Sequence, residues 1–349
     1  MNEPTAQTIK TSRINIHYLS NDHPQAQPIL FIHGNVSSAV FWKKTIAHLP
    51  TSYFAVAPDL RGYGHTEGKI VDATQGLNDF VKDLDSFIEA LNLEKFHLIG
   101  HSLGGGVALN LLLTQADKIL SATLVNPMSP YGYGGTKDEK GTPCFEDFAG
   151  SGGGIVNPAF VKKIAMQDRS EDDPNAPLAV MNNFYWKPPF RPENEKELLE
   201  AMLSQKTGEK HYPGDLQTSS NFPFVAPGKF GPINALSPKY LGYLSKGLWA
   251  LPKKPDILWI RGANDQIVAD QSFFDLGYHG MLGNIPDYPG EEVFPPQPMV
   301  SQTRYVLEQY KAKGGQFTEA VIDDCGHTPF IEKAAEFERI WHPFLASHT

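Results

Sequence analysis

The tightest constraint on this chain lies in ten residues. Phe96 to Ile99 is a continuous apolar run, and it leads straight into Gly100-His101-Ser102-Leu103-Gly104-Gly105. Behind it, Val107, Leu111 and Leu112 recur at helical spacing. The run reads as a buried strand and the spacing as a helix. A strand that becomes a helix within a few residues brings two backbone segments too close for side chains, which calls for the two flanking glycines. The serine between them sits on a strained turn, with its hydroxyl projecting from the carboxyl end of a sheet. Strand, Gly-x-Ser-x-Gly and helix in this order present a serine as a nucleophile.

The rest of the chain repeats the same alternation. Pro28 to Ile32, Tyr53 to Ala57, Ala122 to Val125 and Ile257 to Ile260 are short apolar runs of the kind that form strands buried on both faces, and Phe317 to Ile322 reads as a last strand. Ile14, Ile16 and Tyr18 alternate with polar residues, as in a half-exposed strand. Between these runs lie helical patterns. The clearest is Leu77, Phe80, Val81, Leu84, Phe87, Ile88 and Leu91; others include Val306, Leu307 and Tyr310, and Phe337, Ile340, Trp341 and Phe344. The pattern predicts an α/β fold with a mostly parallel central sheet and helices on both faces. From Met128 to Trp249 the rhythm breaks into glycines, prolines and aromatics. The predicted organisation is therefore a core of 1–127 and 251–349 carrying an inserted cap, 128–250. A second irregular stretch, 271–298, is long for a connection, and such loops tend to be functional.

Composition narrows the partners. Acidic residues outnumber basic ones, 39 to 30, and a net charge of −9 argues against nucleic acid or an anionic membrane. Two cysteines make no disulfide framework and fit reducing conditions. Met1 to Lys10 lacks a basic region followed by an apolar one, and no apolar run reaches the ~18 residues of a membrane span. The expectation is a soluble cytoplasmic protein acting on a small molecule. Oligomeric state has no signature here.

Three chemically apt side chains follow strand ends: Ser102, Asp265 and His327. In a parallel sheet those ends share one edge, where ligands bind. A serine hydroxyl needs an adjacent base, histidine suits that task at neutral pH, and a carboxylate fixes the imidazole tautomer. The order Ser, Asp, His is the one associated with this topology. Among other carboxylates, Asp256 precedes its strand, Asp270 lies further along, and Asp323 and Asp324 are too near His327 in the chain. Asn126 stands at an alternative acid position but is not an acid. His65 is the one rival histidine near the same edge.

Together, His33-Gly34-Asn35, Asp59-Leu60-Arg61-Gly62-Tyr63-Gly64, Gly100-His101-Ser102-Leu103-Gly104-Gly105, Gly262-Ala263-Asn264-Asp265 and Gly326-His327 resemble the α/β-hydrolase family, specifically its capped members. The likeness covers 1–127 and 251–349. It implies a serine hydrolase: Ser102 attacks a carbonyl, His327 acts as base and then acid, Asp265 orients it, and the backbone N–H groups of Asn35 and Leu103 hold the oxyanion. Arg61 is structural by the same likeness. Relatives that open epoxides or displace halide carry aspartate at the elbow, so Ser102 argues against both. No metal or organic cofactor is implied, and neither a Cys/His zinc spacing nor a phosphate-cradling Gly-Lys motif is present. A carboxylic ester or lactone is the expected substrate. Cleavage of a C–C bond in a ring-fission dienoate, amide hydrolysis, and a ligand receptor that retains the fold stay open. Phe184, Tyr185 and Trp186 are expected to roof an apolar pocket above Ser102, with a preference for compact apolar groups.

Overall fold

The computed structural model describes residues 3–348. Eight strands form its central sheet: β1 (Thr5–Lys10), β2 (Asn15–Ser20), β3 (Gln27–Ile32), β4 (Tyr53–Pro58), β5 (Phe96–His101), β6 (Ile119–Val125), β7 (Asp256–Gly262) and β8 (Phe317–Ile322). Their spatial order is β1-β2-β4-β3-β5-β6-β7-β8. β1 and β2 pair antiparallel, as do β2 and β4, and the other pairings are parallel. The central strands are the apolar runs, with Ile29 to Ile32 and all of β5 buried. β1 is an addition to the expected set. Its sequence, Thr-Ala-Gln-Thr-Ile-Lys, is exposed almost throughout. An edge strand with neither face fully covered needs no hydrophobic alternation, so none is there to read.

Helices cover both faces. Phe31 of β3 packs its ring against Trp42 at 5.4 Å and against Trp341 at 5.8 Å, which seats the segment around Ala39–Ala47 and the closing helix on one face. On the other, α1 (Asn78–Ala90) turns Phe80, Val81, Leu84, Phe87 and Ile88 inward. Beside it α2 (Leu103–Gln115) is buried all round from Leu103 to Leu112, because the sheet, α1 and the helix Leu244–Ala250 all pack against it. A helix enclosed on every side has no polar stripe.

The chain leaves the sheet after β6 and returns at β7, its direct neighbour. The intervening segment carries short helices, among them Pro158–Ala165, Pro177–Val180 and Glu195–Leu203, and two pairs of very short strands. Its side chains Phe160, Ile164, Met181, Trp186, Met202 and Ile233 join one hydrophobic cluster with those of the sheet. The stretch 271–298 contributes a single helix, Leu276–Met281, ahead of Met299–Ala312. Among the described residues no helix is long and apolar enough to cross a membrane.

The sheet order explains how residues distant in sequence meet. β3, β5, β6, β7 and β8 lie side by side. At their carboxyl ends Ile32 aligns with Gly100, His101 with Val125, Val125 with Ile260, and Gly262 with Ile322. Asn35, Ser102, Asn126, Asp265 and His327 each follow one of these ends within a few residues.

Candidate active site

Ser102 sits at φ +55° and ψ −121°, in the left-handed half of the map that a residue with a side chain rarely enters. Such a conformation costs about 1–3 kcal/mol and persists only where the surroundings over-determine it. Here they do. Its N–H donates to the Val125 carbonyl at 3.0 Å, and its own carbonyl accepts from Gly105 at 2.9 Å and Met128 at 3.1 Å. The glycines follow from the crossing of strand and helix. A Cβ at Gly100 would lie 2.2 Å from the Gly104 carbonyl oxygen, and one at Gly104 would lie 2.4 Å from that of His33.

His327 and Asp265 are brought together: Nδ1 of the imidazole lies 2.7 Å from Oδ2 of the carboxylate, and both side chains are buried. The carboxylate is saturated. Asn126 Nδ2 donates to the same Oδ2 at 2.6 Å, while Oδ1 accepts the backbone N–H of Ile267 at 2.8 Å and of Val268 at 3.1 Å. Three fixed donors, the Asn126 amide and the two backbone N–H groups, face the carboxyl group, so it is an acceptor on all sides and Nδ1 of His327 is placed to be its fourth donor. That assigns the tautomer and leaves Nε2 as the acceptor. Asn126, set aside in the sequence because it is not an acid, is the group that helps hold the acid. Its Oδ1 also accepts the Gly262 N–H at 3.3 Å.

Two further histidines stand close by, and neither competes. His101 donates through Nε2 to the His327 carbonyl at 2.9 Å, with ring centroids 4.6 Å apart. Burial, helped by the neighbouring His327, pushes its pKa well below that of free histidine. It therefore stays neutral beside His327. His33 accepts the Leu60 N–H at Nε2 and donates from Nδ1 to the Gly34 carbonyl, and burial lowers its pKa as well. His65 is turned to other work: its N–H donates to Asp59 and its ring packs edge-on against His17.

The other candidates find structural partners. Arg61 is buried and grips Asp83 with two bonds of 2.6 and 2.7 Å. Asp270 accepts the N–H groups of Val300 and Ser301 and so caps the helix Met299–Ala312. Asp256 meets His348, and Asp324 pairs with Lys187 and Lys333. Glu332 carries no sequence signal, yet it accepts the Gly326 N–H at 2.6 Å and the Lys187 N–H at 3.2 Å. It thus ties the loop that carries His327 to the segment above. Burial raises its pKa, against the pull of those two N–H groups.

Leu103 follows Ser102 directly, and Asn35 follows Gly34, where a Cβ would lie 3.1 Å from that of Ser102; Asn35 and Leu103 are the two expected oxyanion donors. Both line a cavity of about 780 Å³ together with Ser102 and His327. Phe184 and Tyr185 line it as expected, with Phe184 edge-on to Phe274 at 5.1 Å. Trp186 does not. It is buried at 1% exposure, packs on Phe190, and lays its backbone against Gly326, where a Cβ would lie 2.7 Å from its carbonyl carbon. The three aromatics are consecutive, but the chain straightens to extended backbone at Trp186 and sends that ring away from the cavity. The walls also draw on 271–298, through Phe273, Phe274, Leu276 and Ile285. Among the described residues, no Asp, Glu, Lys or Arg lines the cavity. The described residues hold no group of His, Cys, Asp and Glu that could bind a metal ion.

Comparison with known proteins agrees with this architecture. A sequence profile of the alpha/beta hydrolase fold matches residues 27–167. A carboxylesterase of Bacillus subtilis, itself uncharacterized, is 27% identical over 175 residues, or 46% of this chain and 58% of its own. The dihydrolipoyllysine-residue acetyltransferase component of the acetoin cleaving system of Cupriavidus necator is 34% identical over 103 residues, 30% of this chain and 27% of its own. The chain thus spans less than two thirds of the length of these curated relatives. In three dimensions it resembles the 2-hydroxy-6-oxo-6-phenylhexa-2,4-dienoate hydrolase of Rhodococcus sp. strain RHA1, with a TM-score of 0.61 at 16% identity, covering 100% of this chain and 99% of that one. The profile covers the four central strands, β3 to β6, and the structural likeness runs through the last strand: the chain has the α/β-hydrolase fold.

Proposed function

We propose that this protein is a serine hydrolase that cleaves an uncharged carboxylic ester or lactone through an acyl-enzyme. Ser102 Oγ attacks the carbonyl carbon while His327 Nε2 takes the hydroxyl proton, and the carbonyl oxygen gathers charge against the N–H groups of Asn35 and Leu103. Collapse breaks the carbonyl–oxygen bond and the imidazolium returns its proton to the leaving alkoxide. Water then repeats the sequence on the acyl-enzyme, giving the free acid and Ser102. Asp265 holds the imidazole in one tautomer and stabilises its cation. The observation that carries this reading is that Ser102 and His327 open onto one cavity while His327 is locked to a saturated Asp265.

The lining favours an ester over a dienoate. A dienoate carries a carboxylate, and a buried anion needs a charged partner. The cavity supplies no Lys or Arg, and the carboxyl groups behind its wall, Asp265 and Asp275, would repel an anion rather than hold it. Its volume lies in the upper part of the range for small-molecule sites, which leaves room for a small or medium-sized apolar ester. The name of the Bacillus subtilis relative agrees with an ester. Cys144 and Cys325 are free thiols, which suits an enzyme of the reducing cytoplasm.

The test is kcat/KM across nitrophenyl esters of increasing acyl length, each matched to an ester of equal length ending in a carboxylate. Neutral esters should win by on the order of 10²-fold. Equal rates for the two series would refute the neutral substrate. Multiple turnovers per active site would exclude a receptor that acylates once.

A further inference from the structure

The turn that carries Asn35 is gripped from two sides. Val36 sits at φ +44°, a left-handed conformation that is a genuine outlier for a β-branched residue. It needs external support to persist. From the core, the Tyr63 hydroxyl donates to Asn35 Oδ1 at 2.8 Å. From the insert, the Tyr185 hydroxyl donates to the Val36 carbonyl at 3.0 Å, with the Asn35 carbonyl at 3.4 Å. Tyr185 also reaches the other catalytic loop, since its own carbonyl accepts the Thr328 hydroxyl at 2.7 Å, next to His327. It ends the wide turn Met181–Tyr185, and its ring lines the cavity 6.4 Å from the ring of His327.

We propose that Tyr185 is a positioning residue, whose hydroxyl holds the Asn35–Val36 turn so that the Asn35 N–H meets the developing oxyanion. The inference rests on the proposed role of Asn35. The peptide that carries this N–H is held at its Gly34 carbonyl by His33 and the Ser37 hydroxyl, and Tyr185, by holding the Val36 carbonyl, keeps the strained turn that follows from relaxing and swinging that peptide away. The hydroxyl is committed to a backbone carbonyl and is not available to the substrate. Burial also raises the pKa of Tyr185 far above that of free tyrosine, which removes it as an acid or base near neutral pH. Because one insert residue touches the loops after β3 and β8, the reacting geometry is complete only with the insert seated.

Tyr185→Phe keeps the ring and the cavity wall and removes only the hydroxyl. It should lower kcat on a neutral ester by on the order of 10- to 10²-fold, with KM within about threefold of wild type. Affinity for a matched trifluoromethyl ketone, which forms a tetrahedral adduct on Ser102, should fall by the same factor, while affinity for the product acid should not change. A hydroxyl with a merely structural role would lower Tm and leave kcat alone, which overturns the proposal, as does a loss confined to KM. Should Tyr185→Phe fail to fold, Thr328→Val removes the other tether and should lower kcat at constant KM; unchanged kcat there also overturns it. The proposal and the reading beneath it fail separately. A wild type whose trifluoromethyl ketone binds no better than the methyl ketone defeats the oxyanion role of Asn35, and Tyr185 with it. A wild type that passes, beside a Tyr185→Phe of normal kcat, defeats Tyr185 alone.

Discussion

Replacing Asp265 by asparagine exchanges one oxygen for an NH₂ group in a site built entirely of donors. Four bonds converge on the carboxylate: two backbone N–H groups on Oδ1, and His327 and Asn126 on Oδ2. The backbone donors cannot move, so the amide oxygen of the introduced side chain must occupy the Oδ1 position. Its NH₂ then faces Nδ1 of His327 and Nδ2 of Asn126. The imidazole can accept that NH₂ only by shifting its proton to Nε2, the atom that has to take the proton of Ser102. The wrong tautomer in a Ser-His-Asp triad lowers kcat by ~10⁴-fold, about 5 kcal/mol of transition-state stabilisation, and a similar loss is expected here. The Asn126 donor meets another donor, and a buried unsatisfied polar group costs roughly 1–3 kcal/mol, so Tm should fall too. Asn126→Asp in the same chain supplies an acceptor to the new NH₂. The double variant should regain stability without regaining activity, since the tautomer stays wrong. The assay is kcat on a neutral ester alongside thermal melts of the wild type, Asp265→Asn and the double variant. Recovery of activity with stability would refute the reasoning, because residue 126 would then be orienting His327 directly.

Three other outcomes are expected. Asp275 is buried at the start of the helix Leu276–Met281, and burial raises its pKa to about 6, against the N–H groups of Tyr278 and Gln297. A carboxyl whose folded pKa is raised binds more protons folded than unfolded, so stability falls as pH rises through about 6. Asp275→Asn should therefore raise Tm at pH 8, by up to roughly 3 kcal/mol of stability, with the gain vanishing near pH 4; an equal gain at both pH values would contradict this. Asp270→Ala removes acceptors from the first turn of Met299–Ala312 and should cost about 1–2 kcal/mol in denaturant melts while kcat stays within about twofold of wild type. Phe184→Ala should flatten the dependence of kcat/KM on acyl length, whereas Trp186→Ala, behind the wall, should lower stability by about 3–5 kcal/mol with selectivity kept.

What could be read before the structure was local. Ser102 is recognisable because its turn imposes glycine within two residues on either side, and Asp265 and His327 because each lies in a glycine-containing loop a few residues beyond a strand end. The sheet was readable wherever strands are buried on both faces, and unreadable at β1, where water covers the edge. Asn126 and Glu332 show the limit. A sequence displays the chemical type of a side chain, and both act through a partner on another element: Asn126 on an acid after the next strand, Glu332 on the N–H groups of two loops. The cavity is less legible still, because its wall is assembled from segments around 157, 184, 225, 273 and 285 that share no pattern. Phe184, Tyr185 and Trp186 look alike in sequence, but one change in backbone direction puts two in the wall and one behind it.

The central claim is that Ser102 is the nucleophile, and active-site titration tests it most directly. A fluorophosphonate probe should attach once per chain, peptide mapping should place it on Ser102, and a neutral ester should compete for it. Ser102→Ala should stay folded, take up no probe and lose turnover by on the order of 10³-fold or more. Attachment at another serine, or an active Ser102→Ala, would contradict the account.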